Sequence, residues 1–237
     1  MYRHTNGIRI LRIAAASLAL IISYTGVGYA QKPAPPPKDI QSFFSEISGE
    51  WIGTVDQYTD AVKADTKYFH ATIKQPSTNT YVAVFEYYRL YKNAQAPVQI
   101  GVTTMTSVVT PNGTATNTIS GNGDVFIDPK TSKHEQHDLS EVMHMTGATG
   151  LIGKGSGKIN VSGIAFGAGK NGKVTEYTSA WTLDKDVLSI NEQFKVTFKV
   201  LFFAKHYNII YNFKAKPGNN IAALMKSAAG SATSTMQ

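Results

Sequence analysis

The sequence predicts an all-β protein: a closed antiparallel β-barrel of about eight to ten strands, with one short helix before it and another after it. Three observations lead there. Valine, threonine, tyrosine and phenylalanine crowd residues 51–216, and these are the side chains that fit a pleated, half-buried surface. Clusters of Gly, Pro, Asn and Asp break that stretch at short intervals, as hairpin connections require. Several of the segments between them alternate apolar and polar residues with a period of two, which buries one face and wets the other. Barrel closure leaves no edge strand to aggregate; a two-sheet sandwich is the other architecture such a pattern supports.

Before the strands comes a leader. Arg3, Arg9 and Arg12 precede an apolar run, 13–30, which ends in Gly28-Tyr29-Ala30. A basic start, an apolar middle and small residues at the third and first positions before a cut form the pattern of a secretory signal peptide. Residues 1–30 are therefore expected to be removed, leaving a secreted or periplasmic protein that begins near Gln31 and keeps no stable membrane span. An uncleaved anchor is the competing reading, but Ser17, Ser23, Thr25, Gly26 and Gly28 dilute the run. Residues 31–38 hold four prolines and read as an extended linker. One barrel domain, 39–218, follows, and 219–237 read as a short helix with a loose tail.

Composition narrows the function classes. The chain carries 23 Lys+Arg against 16 Asp+Glu, a net charge of +7; losing the three leader arginines leaves +4. Only Arg89 remains after the leader, and the lysines form no basic stripe, so nucleic acid is not an expected partner. There is no cysteine, which removes disulfides, thiolate chemistry and a lipidated cysteine together.

Along the domain, Ile40, Phe43, Phe44 and Ile47 have helical spacing and end at Ser48-Gly49. Strands are expected at 51–59, 68–74, 81–91, 99–110, 114–127, 138–146, 158–165, 174–183, 187–203 and 207–214, with turns at 76–79, 93–94, 111–113, 128–130, 147–157, 170–172 and 184–186. In the longest strand Leu188, Ile190, Glu192, Phe194, Val196 and Phe198 share one face. Near Ala204-Lys205-His206 the apolar phase slips by one residue to Tyr207, Ile209, Tyr211 and Phe213, which requires a bulge or a turn. After Lys216-Pro217-Gly218, Asn219 or Asn220 is placed to cap a final helix over 219–229.

Two carboxylates stand out because burial of an unpaired charge costs several kcal/mol. Glu192 lies on the apolar face between Ile190 and Phe194. Glu86 is in phase with Val82, Val84 and Tyr88, while Arg89 falls in phase with Phe85 and Tyr87. Such a carboxylate either orients a polar ligand group or exchanges protons. His206, Asn208 and Asn212 share a phase that would line the same cup. His134, Glu135, His137, Asp138, Glu141 and His144 are the densest potential metal ligands, but strand parity puts His137 and His144 on opposite faces, and no metal site is expected. No Gly-x-Ser-x-Gly elbow is present, so covalent hydrolysis has no visible basis.

Two local motifs carry a resemblance. Phe43-Phe44 followed by Gly49-Glu50-Trp51 resembles the helix and Gly-x-Trp opening of lipocalins and their calycin relatives; that resemblance implies that Trp51 plugs one barrel end and stacks on a basic residue of the last strand, Lys214 or Lys216. The run 147–157, preceded by Gly121-Asn122-Gly123, resembles the glycine-rich turn of allene oxide cyclase and dirigent-type barrels, with Ala148 and Ile152 departing from their pattern. Together they imply a barrel that binds a small apolar or amphiphilic molecule in its interior. The candidate ligand-binding residues are Glu86, Tyr88, Tyr177, Trp181, Glu192, Phe194 and Phe198; Gly49, Trp51, Gly147 and Gly150 are the structural ones. No cofactor is implied. A cofactor-free isomerase or cyclase and a packed structural or surface-interaction domain are the alternative functions.

Overall fold

A computed structural model describes residues 40–91, 96–111, 113–128, 131–145, 150–163, 167–200 and 203–233, with the backbone alone at 122–128, 131–145, 150, 152, 157–163, 167–171, 200 and 229–233. The leader, the proline-rich linker and Gly147 lie outside the described residues. In order the elements are α1 (Ile40–Glu46), β1 (Gly49–Thr59), β2 (Val62–Ser77), β3 (Thr80–Arg89), β4 (Val98–Val109), β5 (Thr114–Asp128), β6 (Thr131–Met145), β7 (Gly150–Gly163), β8 (Gly167–Asp184), β9 (Val187–Val200), β10 (Phe203–Pro217) and α2 (Ile221–Thr233). The strands form one strongly curled, barrel-like antiparallel sheet in which each strand pairs with the next, and β1 bonds β10 on one side and β2 on the other. Among the described residues, no helix is long and apolar enough to cross a membrane.

Alternation is the rule that shapes the inside. Trp51, Val55, Phe69, Ala71, Ile73, Tyr81, Ala83, Phe85, Met105, Ile119, Trp181, Ile190, Phe194 and Phe213 are all buried and lie on the inner phase of their strands. At two places the strands approach closely because a side chain is missing. A Cβ on Gly53 would fall 1.9 Å from the Lys214 carbonyl oxygen, and one on Gly121 would fall 2.3 Å from that of Val102, so glycine alone permits these strand approaches.

The phase slip between β9 and β10 proves to be a hairpin. Val200 pairs with Phe203 across a two-residue connection, so every even-numbered residue of β9 faces an odd-numbered residue of β10, as Phe194 faces Ile209 and Glu192 faces Tyr211. The inner phase must therefore change parity at the turn. Two expected connections are strand instead: 150–157 belongs to β7 and 170–172 to β8; β6 also starts earlier than expected, at Thr131, and takes in the histidine-rich segment. Ladder pairing overrides local turn preference at these glycine-rich positions. The turn between β1 and β2 had no sequence signal, because Asp60-Ala61 holds neither glycine nor proline. Both residues take left-handed φ angles, 49° and 68°, as a type I′ hairpin requires. Asp60 is helped by accepting a bond from the Asn208 amide at 2.9 Å; Ala61 has no such device. Ala61→Gly is expected to raise stability by about 1 kcal/mol, read from the urea midpoint.

One end of the curled sheet is plugged. Ile40, Phe43, Phe44 and Ile47 are fully buried, and Phe44 stacks on Tyr81 (4.7 Å, 17°) while meeting Trp181 edge-on at 6.5 Å. Trp51 donates its indole N–H to the Ile47 carbonyl at 2.8 Å, tying the first strand to the end of α1. At the other end of the chain Asn220 caps α2 through a 3.0 Å bond from the Ala223 amide.

Candidate binding site

A chain of rings runs up the inner wall from the plug. Trp181 touches Phe85, Phe85 touches Phe213, Phe213 touches Tyr211, Tyr211 touches Phe194, and Phe194 touches Tyr177, at centroid separations of 4.7 to 6.3 Å. This wall is built by β8, β9, β10, β1, β2 and β3. The inner positions of β4 and β5 carry no ring: Gly101, Thr103, Ser107, Ala115, Asn117 and Gly121 alternate with Met105, Val109 and Ile119. Most inner positions are buried along the whole length, from Tyr81, Ser107, Asn117, Leu151, Trp181 and Leu188 near α1 to Val174, Tyr177, Phe194, Val196, Phe198 and Ile209 farther up. Tyr87, Arg89, Thr103, Gly121, Glu192 and Tyr207 share the inner phase and are partly accessible.

Glu192 is one of the partly accessible inner positions. Its inner phase was the sequence expectation, and the residue is half-buried there, accepting the Tyr177 hydroxyl at 2.9 Å. Tyr177, Phe194, Phe198 and Trp181 are all buried on the inner phases of β8 and β9. Trp181 belongs to the plug, where its N–H also donates to Ser179 Oγ at 2.7 Å. A single cross-strand row then carries polar groups around the wall: Ser179 lies opposite Glu192, Glu192 opposite Tyr211, Tyr211 opposite Gln57, and Gln57 opposite Asp65.

At the far side of that row is an inward ionic cluster. Asp65 pairs with Arg89 and lies 3.9 Å from the Lys67 ammonium, with side-chain exposures of 13%, 19% and 5% respectively. Sequence reasoning placed Arg89 in the aromatic phase but missed its partners, because the expected strand began at Tyr68. Extending the alternation of Ile73, Ala71 and Phe69 toward the N-terminus reaches Lys67 and Asp65.

Other expected members of the cup face outward. Tyr81, Ala83 and Phe85 fill the inner phase of β3, so Glu86 and Tyr88 stand on the outer one. There Glu86 lies 3.0 Å from His70 Nδ1, and loss of solvent followed by the Glu86 charge raises the Tyr88 hydroxyl above its ordinary pKa. His206, Asn208 and Asn212 are outward as well, bonded to Thr197, Gln193 and Asn191, because the hairpin's parity change gives the inner phase to Tyr207, Ile209 and Tyr211. Lys214 and Lys216 are exposed on the outer phase, so neither stacks on the inward Trp51. The side chains from His134 to His144 lie outside the described residues.

No family model matches the chain, and no curated protein matches it. The likeness to calycin and allene oxide cyclase barrels thus rests on two short motifs and on a curled all-β fold.

Proposed function

We propose that this chain is an exported, lipocalin-like closed barrel that holds a small, largely apolar molecule in its interior, with the ligand's polar group against Glu192 and Tyr177. One observation carries the reading: a carboxylate on the inner phase, bonded to a buried tyrosine hydroxyl, beside a run of buried aromatic rings. Such a lining, mostly apolar with a few convergent polar groups, is the usual make-up of a small-molecule site. Pairing of β1 with both β10 and β2 supports closure, and ten strands enclose more room than the eight that suffice for one small ligand. Export follows from the leader pattern, Arg3 to Ala30.

The same pair of groups favours a second reading, a cofactor-free isomerase or cyclase, since a carboxylate beside a phenol can move a proton. Glu192→Gln separates the two, because it keeps shape while abolishing proton transfer. With N-phenyl-1-naphthylamine as a fluorescent probe, the binding reading predicts retained affinity, changed by no more than about 1 to 3 kcal/mol. Where an isomerisation is found, it predicts turnover falling by about 10² to 10⁴ with binding intact. A protein that takes up no apolar probe leaves the packed structural domain as the function.

A further inference from the structure

A groove of about 350 Å³ crosses the outer face of β1, β10, β9 and β8, remote from the interior site. Register builds it. Asp56 faces Asn212, Asn212 faces Asn191, and Asn191 faces Ala180, so one cross-strand row ends on the smallest side chain of the four and forms the floor. Beside this row, Lys214 faces Ser189 and Ser189 faces Thr182; Tyr58 lines the groove on its other side.

The hydrogen-bonding groups here are fixed and only part used. Asn191 Nδ2 donates to Asn212 Oδ1 at 2.5 Å, which pins both amides and leaves an acceptor oxygen on Asn191 and two donor hydrogens on Asn212. Lys63 and Thr66 both bond Asp56 through Oδ1, at 2.8 and 2.6 Å, and the carboxylate keeps further acceptor capacity on Oδ2. Burial by itself would raise the Asp56 carboxyl, but the bonds from Lys63 and Thr66 and the charges of Lys63 and Lys214 outweigh it and hold the group below its ordinary pKa. Asp56 therefore stays ionised well into acid. The hydroxyls of Ser189 and Thr182 and the Lys214 ammonium complete a set in which donors and acceptors alternate.

We infer that this groove binds a neutral saccharide, whose ring lies against Tyr58 and whose hydroxyls bridge Asn191, Asn212 and Asp56. A sugar hydroxyl both donates and accepts, which is the demand this mixed lining makes. An anion would meet Asp56, and phosphate recognition favours an arginine fork that the lining lacks. An apolar ligand would leave the amides and the carboxylate unpaired. The face of the Tyr58 ring, negative at its centre, suits the polarised C–H edge of a sugar. The volume lies at the low end of small-molecule sites, about 300–1,000 Å³, and fits one or two rings.

The test is a nuclear magnetic resonance titration of isotope-labelled protein with methyl β-glucoside, methyl β-galactoside, N-acetylglucosamine and cellobiose. At least one is expected to give saturable shifts at Asp56, Asn191 and Asn212, with a Kd of order 1 mM. Ala180→Leu raises the groove floor from the outer face without entering the core, and it should weaken that sugar at least about tenfold while uptake of N-phenyl-1-naphthylamine in the interior is unchanged. The inference is overturned if no sugar shifts these residues at concentrations up to about 50 mM. Equal sugar affinity in Ala180→Leu, or tighter binding of inorganic phosphate than of any sugar, overturns it too.

Discussion

Trp51→Ala is expected to lower the free energy of unfolding by about 3 to 5 kcal/mol, the cost of emptying a large buried aromatic site. The indole is only 5% exposed, its N–H is bonded to the Ile47 carbonyl just past α1, and its loss leaves a hole in the buried core. Trp51→Phe should recover most of that loss, because it restores volume and forfeits chiefly one buried hydrogen bond of about 1 kcal/mol. Urea unfolding followed by circular dichroism measures both. A Trp51→Ala protein as stable as the parent, but defective in probe uptake, would move Trp51 from the plug to the binding site.

The second large effect belongs to Asp65→Asn. The substitution keeps the side chain's shape but leaves Arg89 and Lys67 on the inner face without the carboxylate they share. Neutralising Asp65 takes a negative charge away from two cations that face it, and the three side chains are mostly but not wholly buried. A destabilisation of about 3 kcal/mol is expected, at the lower end of the range for such pairs. The urea midpoint reads it directly. A change below about 0.5 kcal/mol would place the cluster among exposed ion pairs, which contribute little.

Much of the fold could be read from residue order because its rules are local. The period of two in Leu188 to Phe198 named the inner phase of β9, and the same rule put Glu192 among the buried rings. The helix spacing of Ile40, Phe43, Phe44 and Ile47 gave α1, and of the two candidate caps for α2, Asn219 and Asn220, Asn220 takes the role. The rule failed on β3, where Val82, Val84, Glu86 and Tyr88 alternate as plausibly as Tyr81, Ala83, Phe85 and Tyr87. Both faces of that strand are largely apolar, so composition does not choose between them; the long-range pairing to Phe69 and Ala71 does. The turn at Asp60-Ala61 was silent for a related reason. Its left-handed backbone is imposed by the pairing of β1 with β2, and the residues themselves do not ask for it. The outer groove was equally hidden, since Asp56, Asn212, Asn191 and Ala180 come from four strands and meet only through register.

The central claim, that the barrel interior holds a small and largely apolar molecule beside Glu192, is tested most directly by native mass spectrometry of the full chain purified from the cells that make it. The account predicts a protein peak carrying the added mass of one small organic molecule, which is lost on gentle activation and replaced stoichiometrically by N-phenyl-1-naphthylamine. A bare protein mass that neither retains a native molecule nor accepts the probe would contradict it.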